Sequence, residues 1–234
     1  MKYRRILLKL SGESLSGSNG QGLDPDVLNS YAREIKEVCA SGVQVAIVVG
    51  GGNIFRGLSG VGKGFDRVKG DQMGMLATTI NSIALSCALQ SEGLEAVVFS
   101  ATPMESVARY WVSDQASVLL DKGAVVLISG GTGNPFFTTD TAAALRAVEL
   151  GVSAFFKGTR VDGVYSADPE KEPTATKYKR LSFDEALEKN LKVMDMTAFA
   201  FCKEHKMPVV VFDMNKRGNL LRLVKGEPLG TELF

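Results

Sequence analysis

The chain of 234 residues holds a single histidine, His205. Catalytic triads and histidine-ligated metal centres are therefore not indicated, and His205, near a helix C-terminus where a cation is favoured, is given no catalytic role. Cysteine is scarce too. Cys39, Cys87 and Cys202 are scattered, odd in number and form no C-x-x-C pair. Neither a zinc site nor a disulfide framework follows, and a reduced compartment is expected. There is no excess of one charge: 27 basic and 26 acidic residues leave a net +1. That argues against a dedicated nucleic-acid binder but leaves room for a local basic pocket. No apolar run approaches the ~20 residues of a membrane span. The apolar stretch behind Lys2-Tyr3-Arg4-Arg5 is too short for a signal peptide, and the cysteine usage leads to the expectation of a cytoplasmic location. Internal repeats, low-complexity segments and long linkers are also missing.

What is present is a 45% hydrophobic composition, enough for a sizeable core, and a regular alternation of strands and helices. Residues 4–10 read as a buried strand. Asp24-Pro25 opens a helix that runs to about Ala40 and stops at Ser41-Gly42. Residues 43–49 form a β-branched run suited to a strand covered on both faces. A long helix is expected over 67–91 and a strand over 96–100. Short helices are expected near 103–110 and 113–121, then a strand over 124–129. The next helix, 139–150, has Thr139 or Asp140 as its cap, and a strand follows over 153–157. Residues 161–173 suggest loops with a small hairpin. Helices over 183–190 and 195–205 and a strand over 207–212 complete the pattern. Repeated β-α-β units imply a mainly parallel sheet with helices on both sides. A change of character near Gly158 divides the chain into an N-terminal lobe, 1–157, and a C-terminal lobe, 158–234.

Three glycine-rich turns follow apolar strands: Lys9-Leu10-Ser11-Gly12, Gly50-Gly51-Gly52-Asn53 and Gly130-Gly131-Thr132-Gly133-Asn134. Turns at the carboxyl ends of parallel strands are where open α/β sheets bind ligands, and glycine lets backbone N–H groups approach an anion. Lys9 is either a solvated strand-end lysine or a cation aimed at a transferring phosphoryl group. Three consecutive glycines at 50–52 exceed what a tight turn requires, and Arg56 beyond them offers a planar fork for phosphate. In residues 130–140 the adjacent Phe136 and Phe137 either turn into the core or wall a pocket for a planar base. Asp71 is either a favourable charge near a helix start or an acceptor for a ribose diol. Asp195 is either a helix cap or a site residue. Asp162 and Asp168 lie in a loop where most aspartates only shape turns. Gly57-x-x-x-x-Gly62-Lys63-Gly64 resembles a Walker A loop, but it ends in glycine instead of Ser or Thr and does not directly follow a strand. It is read as a surface loop.

Taken together these motifs resemble the amino acid kinase superfamily and, within it, the bacterial UMP kinases. The resemblance spans essentially the whole chain. Its markers are Leu8-Lys9-Leu10-Ser11-Gly12-Glu13, Gly50-Gly51-Gly52-Asn53-Ile54-Phe55-Arg56-Gly57, Thr132-Gly133-Asn134-Pro135-Phe136-Phe137-Thr138-Thr139-Asp140, Val161-Asp162-Gly163-Val164-Tyr165 with Ala167-Asp168-Pro169, and Val193-Met194-Asp195. It implies a three-layer α/β/α sandwich with a mainly parallel central sheet. It also implies transfer of a phosphoryl group from ATP to UMP with Mg2+, in a cytoplasmic homohexamer inhibited by UTP and activated by GTP. Lys9, Leu10, Ser11, Gly12, Gly52 and Arg56 would then hold the ATP phosphates. Thr159, Tyr165 and Asp168 would hold the adenosine. Gly51, Asp71, Thr132, Gly133, Asn134, Pro135, Phe136, Phe137, Thr138 and Thr139 would bind UMP. Lys9, Asp195 and Arg56 would be the catalytic group, with Asp195 orienting Lys9. The stretch Gly17-Ser18-Asn19-Gly20-Gln21-Gly22 would be the GTP-linked segment. The alternatives carried forward are a non-catalytic nucleotide sensor and a kinase acting on amino acids or carbamate.

Overall fold

A computed structural model describes residues 1–55 and 66–234. Arg56 and the Gly57 to Gly64 loop lie outside the described residues. In chain order the elements are β1 (Arg5–Leu10), a 3-10 segment (Gly12–Asn19), α1 (Pro25–Ala40), β2 (Gln44–Val49), α2 (Arg67–Ser91), β3 (Ala96–Ser100) and β4 (Arg109–Tyr110). There follow α3 (Ser113–Asp121), β5 (Val125–Ser129), α4 (Thr139–Glu149), β6 (Ala154–Thr159), β7 (Arg180–Leu181) and α5 (Phe183–Glu188). The chain closes with α6 (Met196–Glu204), β8 (Val209–Asp213), α7 (Asn219–Val224) and β9 (Thr231–Leu233).

Among the described residues the strands form one nine-stranded sheet in the order β4-β3-β5-β2-β1-β6-β8-β9-β7. Every neighbouring pair is parallel except β8 and β9. Successive side chains of a strand point to opposite faces, so each strand feeds two cores. Ile6, Leu8 and Leu10 pack with α1, α2 and α7 on one face. Leu7, Ala46, Val48 and Phe155 pack with α3, α4, α5 and α6 on the other. The three layers expected from the sequence are therefore present. By the same parity Lys9 and Lys157 point to the second face, beside the start of α4.

Asp24 caps α1 by accepting the N–H groups of Asp26 and Val27, with Pro25 at the first helical position. α2 is long and apolar enough to cross a membrane by length and composition, which the sequence reading did not anticipate. It is a core helix here: Leu85 and Leu89 are fully buried, and Thr78, Thr79, Asn81 and Ser82 are buried with them.

The structure corrects several sequence expectations. Residues 103–110 do not form a helix. A turn closes when the Val107 and Ala108 N–H groups donate to the Met104 carbonyl. Arg109 and Tyr110 then pair with Phe99 and Ser100 as the edge strand. The cap of α4 is Thr138, one residue earlier than expected, and its hydroxyl accepts from the Thr141 N–H. The 3-10 segment, β7, α7 and β9 carried no recognised signal. The hairpin expected within 161–173 closes further on, through the Tyr165–Lys177 bridge. The compositional change at 157/158 falls inside β6.

Candidate active site

The carboxyl ends of β1, β2, β5 and β6 lie side by side in the sheet. The turns that leave them meet directly. A Cβ on Gly12 would lie 2.4 Å from the Gly50 carbonyl oxygen and 2.6 Å from Asn53 Oδ1. A Cβ on Gly51 would lie 2.7 Å from the Gly74 carbonyl oxygen of α2. Part of the glycine run is thus explained by packing rather than by a ligand. Asn53 and Asn81 are buried and bonded to each other, and Asn81 also donates to the Gly50 carbonyl at 2.6 Å. Gly12→Ala should accordingly cost about 1–3 kcal/mol, the usual penalty of overpacking. Urea unfolding of the two proteins checks this; an unchanged midpoint would contradict the close approach.

The chemistry of the site centres on Asp140, in the first turn of α4. Lys9 and Lys157 are register partners on adjacent parallel strands. Two like charges side by side repel unless a counter-ion lies between them. Asp140 supplies it. Lys9 Nζ lies 2.9 Å from Oδ1 in ion-pair rather than aligned hydrogen-bond geometry. Lys157 Nζ lies 2.5 Å from Oδ2 and also donates to the Val193 carbonyl at 2.6 Å. The side chains of Lys9, Lys157 and Asp140 are 13%, 12% and 13% exposed. Burial alone would push the Asp140 carboxyl up, but the two ammonium groups outweigh it and hold it below its ordinary value. Burial likewise pushes Lys157 down, and Asp140 only partly offsets that, so its ammonium titrates below the ordinary lysine value.

Asp195 does not contact Lys9, contrary to the expectation that it orients that lysine. It caps α6, accepting the Thr197 and Ala198 N–H groups at 3.0 Å. It also accepts the Thr141 hydroxyl at 2.9 Å and the Thr138 hydroxyl. Both readings of Asp195 are therefore compatible: it caps one helix while fixing the start of another. The carboxylate on Lys9 is Asp140, which sequence reasoning treated only as a cap. Lys157 was also missed, although it lies near the carboxyl end of its strand as Lys9 does. That shared position, with matching strand parity, was the signal available.

The loop after β5 carries Phe136 and Phe137 outward, 63% and 49% exposed, so the core reading of these rings fails. Phe136 has a left-handed φ of 74°. Its N–H donates to Asp71 Oδ2 at 2.8 Å, and Arg67 Nε donates to the same oxygen at 2.7 Å. At the loop's base the Gly130 N–H donates to the Thr78 hydroxyl at 2.8 Å. Thr132 closes a local turn on Asn134 at 3.2 Å. Gly133 and Pro135 lie between these anchors, and the Thr139 hydroxyl faces Gly50.

A cavity of about 750 Å³ opens beside Lys9, lined by Ser11, Tyr31, Glu34, Lys157 and Thr159 among others. A second, of about 570 Å³, is lined by Tyr165 and Asp168. The two share Thr159 and Arg160 as lining residues, so they lie next to each other. Tyr165 donates to Asp162 at 2.5 Å, and Lys177 holds the other oxygen at 2.9 Å. Neither cavity is lined by Asp71 or residues 132–139. Leu10, the last residue of β1, is buried, and Gly52 is half-buried in its turn. Residues 17–22 are exposed, and the Gly22 N–H donates to the Asn53 carbonyl at 3.0 Å.

Glycine turns at parallel strand ends, backed by two partly buried lysines, define a class of proteins that handle phosphorylated ligands. The sequence matches the model of the Amino acid kinase family over residues 4–213. It is 58% identical to a uridylate kinase of Porphyromonas gingivalis over 98% of this chain and 96% of that one. A uridylate kinase of Bacteroides thetaiotaomicron is 57% identical over 98% of each chain. Among solved structures, UMP kinase from Bacillus anthracis superposes with a TM-score of 0.96 at 36% identity, covering 100% of this chain and 96% of that one. Uridylate kinase from Archaeoglobus fulgidus gives 0.74 at 30% identity, covering 98% and 99%. The chain belongs to the amino acid kinase family, on its uridylate kinase branch.

Proposed function

We propose that this chain transfers the γ-phosphoryl group of ATP to UMP, giving ADP and UDP, as a step in pyrimidine nucleotide biosynthesis. The observation that carries this reading is the near-full-length similarity to uridylate kinases. The clustering of Lys9, Lys157 and Asp140 beside the glycine turns supports it.

The donor would lie along the carboxyl ends of the strands, across the two neighbouring cavities. Its adenosine would rest against Thr159, Tyr165 and Asp168. Its phosphates would meet Lys9, Leu10, Ser11, Gly12, Gly52 and Arg56. The acceptor would lie across Gly51, Asp71 and residues 132–139. On this scheme the N-terminal lobe serves the acceptor and the C-terminal lobe the donor base. Two anionic phosphates must then meet. At an effective dielectric near 20, two unit charges about 4 Å apart repel by about 4 kcal/mol. Lys9, Lys157, Arg56 and aimed backbone N–H groups would offset that, most strongly where charge spreads in the transition state. No general base is required, because the attacking phosphate oxygen is already anionic. Asp140 would hold the two lysines in place. Asp195 would act at one remove, through Thr138 and Thr141, rather than by touching Lys9.

Among the described residues no group of three or more His, Cys, Asp or Glu side chains is placed to hold a metal. Asp140 is committed to two lysines. This donor set suits an ion that arrives on the nucleotide phosphates, as Mg2+ does. When bound, Mg2+ would neutralise phosphate charge. Activation by GTP through residues 17–22, inhibition by UTP, a homohexameric assembly and a cytoplasmic location belong to the same proposal. The bond between Gly22 and Asn53 gives residues 17–22 a direct link to the phosphate turn.

The test is incubation with Mg-ATP and UMP, CMP or AMP in turn. UMP should be turned over at least about tenfold faster than the others, a discrimination within reach of one or two hydrogen bonds to the base. Equal rates, or tight UTP binding without any transfer, would overturn the reading.

A further inference from the structure

The first turn of α2 contains an apparent misplacement. Arg67 is the first residue of this helix, where the positive end of the dipole disfavours a cation. A specific contact must justify it. Its Nε–H donates to Asp71 Oδ2 at 2.7 Å, and its guanidinium lies 5.6 Å from the centre of the Phe136 ring. The same Asp71 oxygen accepts the Phe136 N–H at 2.8 Å. Phe136 sits at φ 74°, a conformation that an aromatic residue keeps only when its surroundings impose it. The core does not impose it, because the ring is 63% exposed. Asp71 and Arg67 do.

Both of these bonds fall on Oδ2. Among the described residues nothing donates to Asp71 Oδ1, which leaves it available to a ligand. A lone carboxylate can rotate and present either oxygen. One that is pinned by a guanidinium and a backbone N–H presents a single fixed acceptor. A site built to hydrogen-bond a substrate hydroxyl rejects an analogue that lacks it, provided the acceptor cannot turn away.

We propose that Arg67 is a positioning residue of the acceptor site. It fixes Asp71 so that one oxygen anchors the loop at Phe136 and the other faces the sugar diol. It thereby sets the preference for ribonucleoside over 2′-deoxyribonucleoside monophosphates. This rests on the UMP kinase reading above.

The experiment measures kcat and KM for UMP and dUMP with Mg-ATP in the wild type, Arg67→Met and Arg67→Lys. Arg67→Met should raise KM for UMP about tenfold while kcat stays within about threefold, as expected when one charge-assisted hydrogen bond to the ground state is lost. The change with dUMP should be smaller, so that the UMP-to-dUMP preference contracts at least about threefold. Arg67→Lys keeps the charge but not the fork, and should fall between. An unmoved preference, or equal losses on both substrates, would overturn the proposal. If Arg67→Met does not fold, Arg67→Lys decides by the same criterion. A wild type inactive on UMP would sink the kinase reading itself. A wild type active on UMP, with variants of unchanged preference, would sink only the role of Arg67.

Discussion

Lys9→Met is expected to lower kcat about 10²–10³-fold, the range seen when one preorganised donor to a developing charge is removed. The side chain is 13% exposed, at the end of β1 and next to the turn that ends in Gly12. Methionine keeps much of the lysine stem's volume but not its charge. Asp140 would still pair with Lys157, so the fold should survive. Isothermal titration should find UMP affinity within about threefold of the wild type, because the lost interaction belongs to the transition state. Lys9→Arg keeps the charge and changes its shape, and should still lose at least about tenfold. A Lys9→Met protein with nearly unchanged kcat would remove this lysine from the mechanism.

Asp140→Asn should be the most damaging single change to both stability and turnover. It leaves Lys9 and Lys157 facing each other across adjacent strands without their counter-ion. Breaking a buried ion pair from one side costs about 3–5 kcal/mol, and proton loss from Lys157 would relieve part of it. With Lys9 no longer held, kcat should fall at least about 10²-fold.

The pH dependence carries a signature. Asp140 titrates below its ordinary value of 3.8, because the lysines outweigh burial. A carboxylate with a depressed folded-state pKa stabilises the fold above the ordinary value. That contribution is lost as pH falls through the depressed one. The wild type should therefore shed it only in acid, and the asparagine variant should lack it throughout.

Lys157 has the opposite sign. Burial already holds it below its ordinary 10.5, despite the help of Asp140. Without that help it should drop further. The unfolded chain then binds more protons than the folded one, so the variant's stability should climb as pH rises toward 10.5. Chemical denaturation across pH checks both. A variant as stable as the wild type at neutral pH, or one that weakens in alkali, would contradict the arrangement.

Much of this fold was legible because local rules agreed with one another. Asp24-Pro25 and Ser41-Gly42 bracket α1 with cap chemistry that needs no tertiary partner. The apolar runs of β1, β2 and β5 are what strands covered on both faces require. What escaped was decided by contacts distant in sequence. β7 is two residues long and β9 three, too short for any periodicity to register. Arg109 and Tyr110 are held by pairing to β3, a partner that local propensity does not see.

At the site, Lys9 and the loop after β5 were readable as motifs. The counter-ion was not. Asp140 and Asp195 both stand at helix starts, and sequence alone does not say which of them reaches Lys9. The parity of two adjacent strands decides it. Both lysines point at the start of α4, while Asp195 is occupied by two threonine hydroxyls and two backbone N–H groups.

The account depends on donor and acceptor phosphates being gripped together at one sheet edge, with the phosphoryl group passing straight between them. The stereochemical course at the transferred phosphorus, followed with ATP made chiral at its γ-phosphoryl group, tests this most directly. Inversion of configuration in the UDP product is the predicted outcome of a single in-line displacement. Retention would mean that the group rests on the protein on the way, and it would contradict the direct passage argued here.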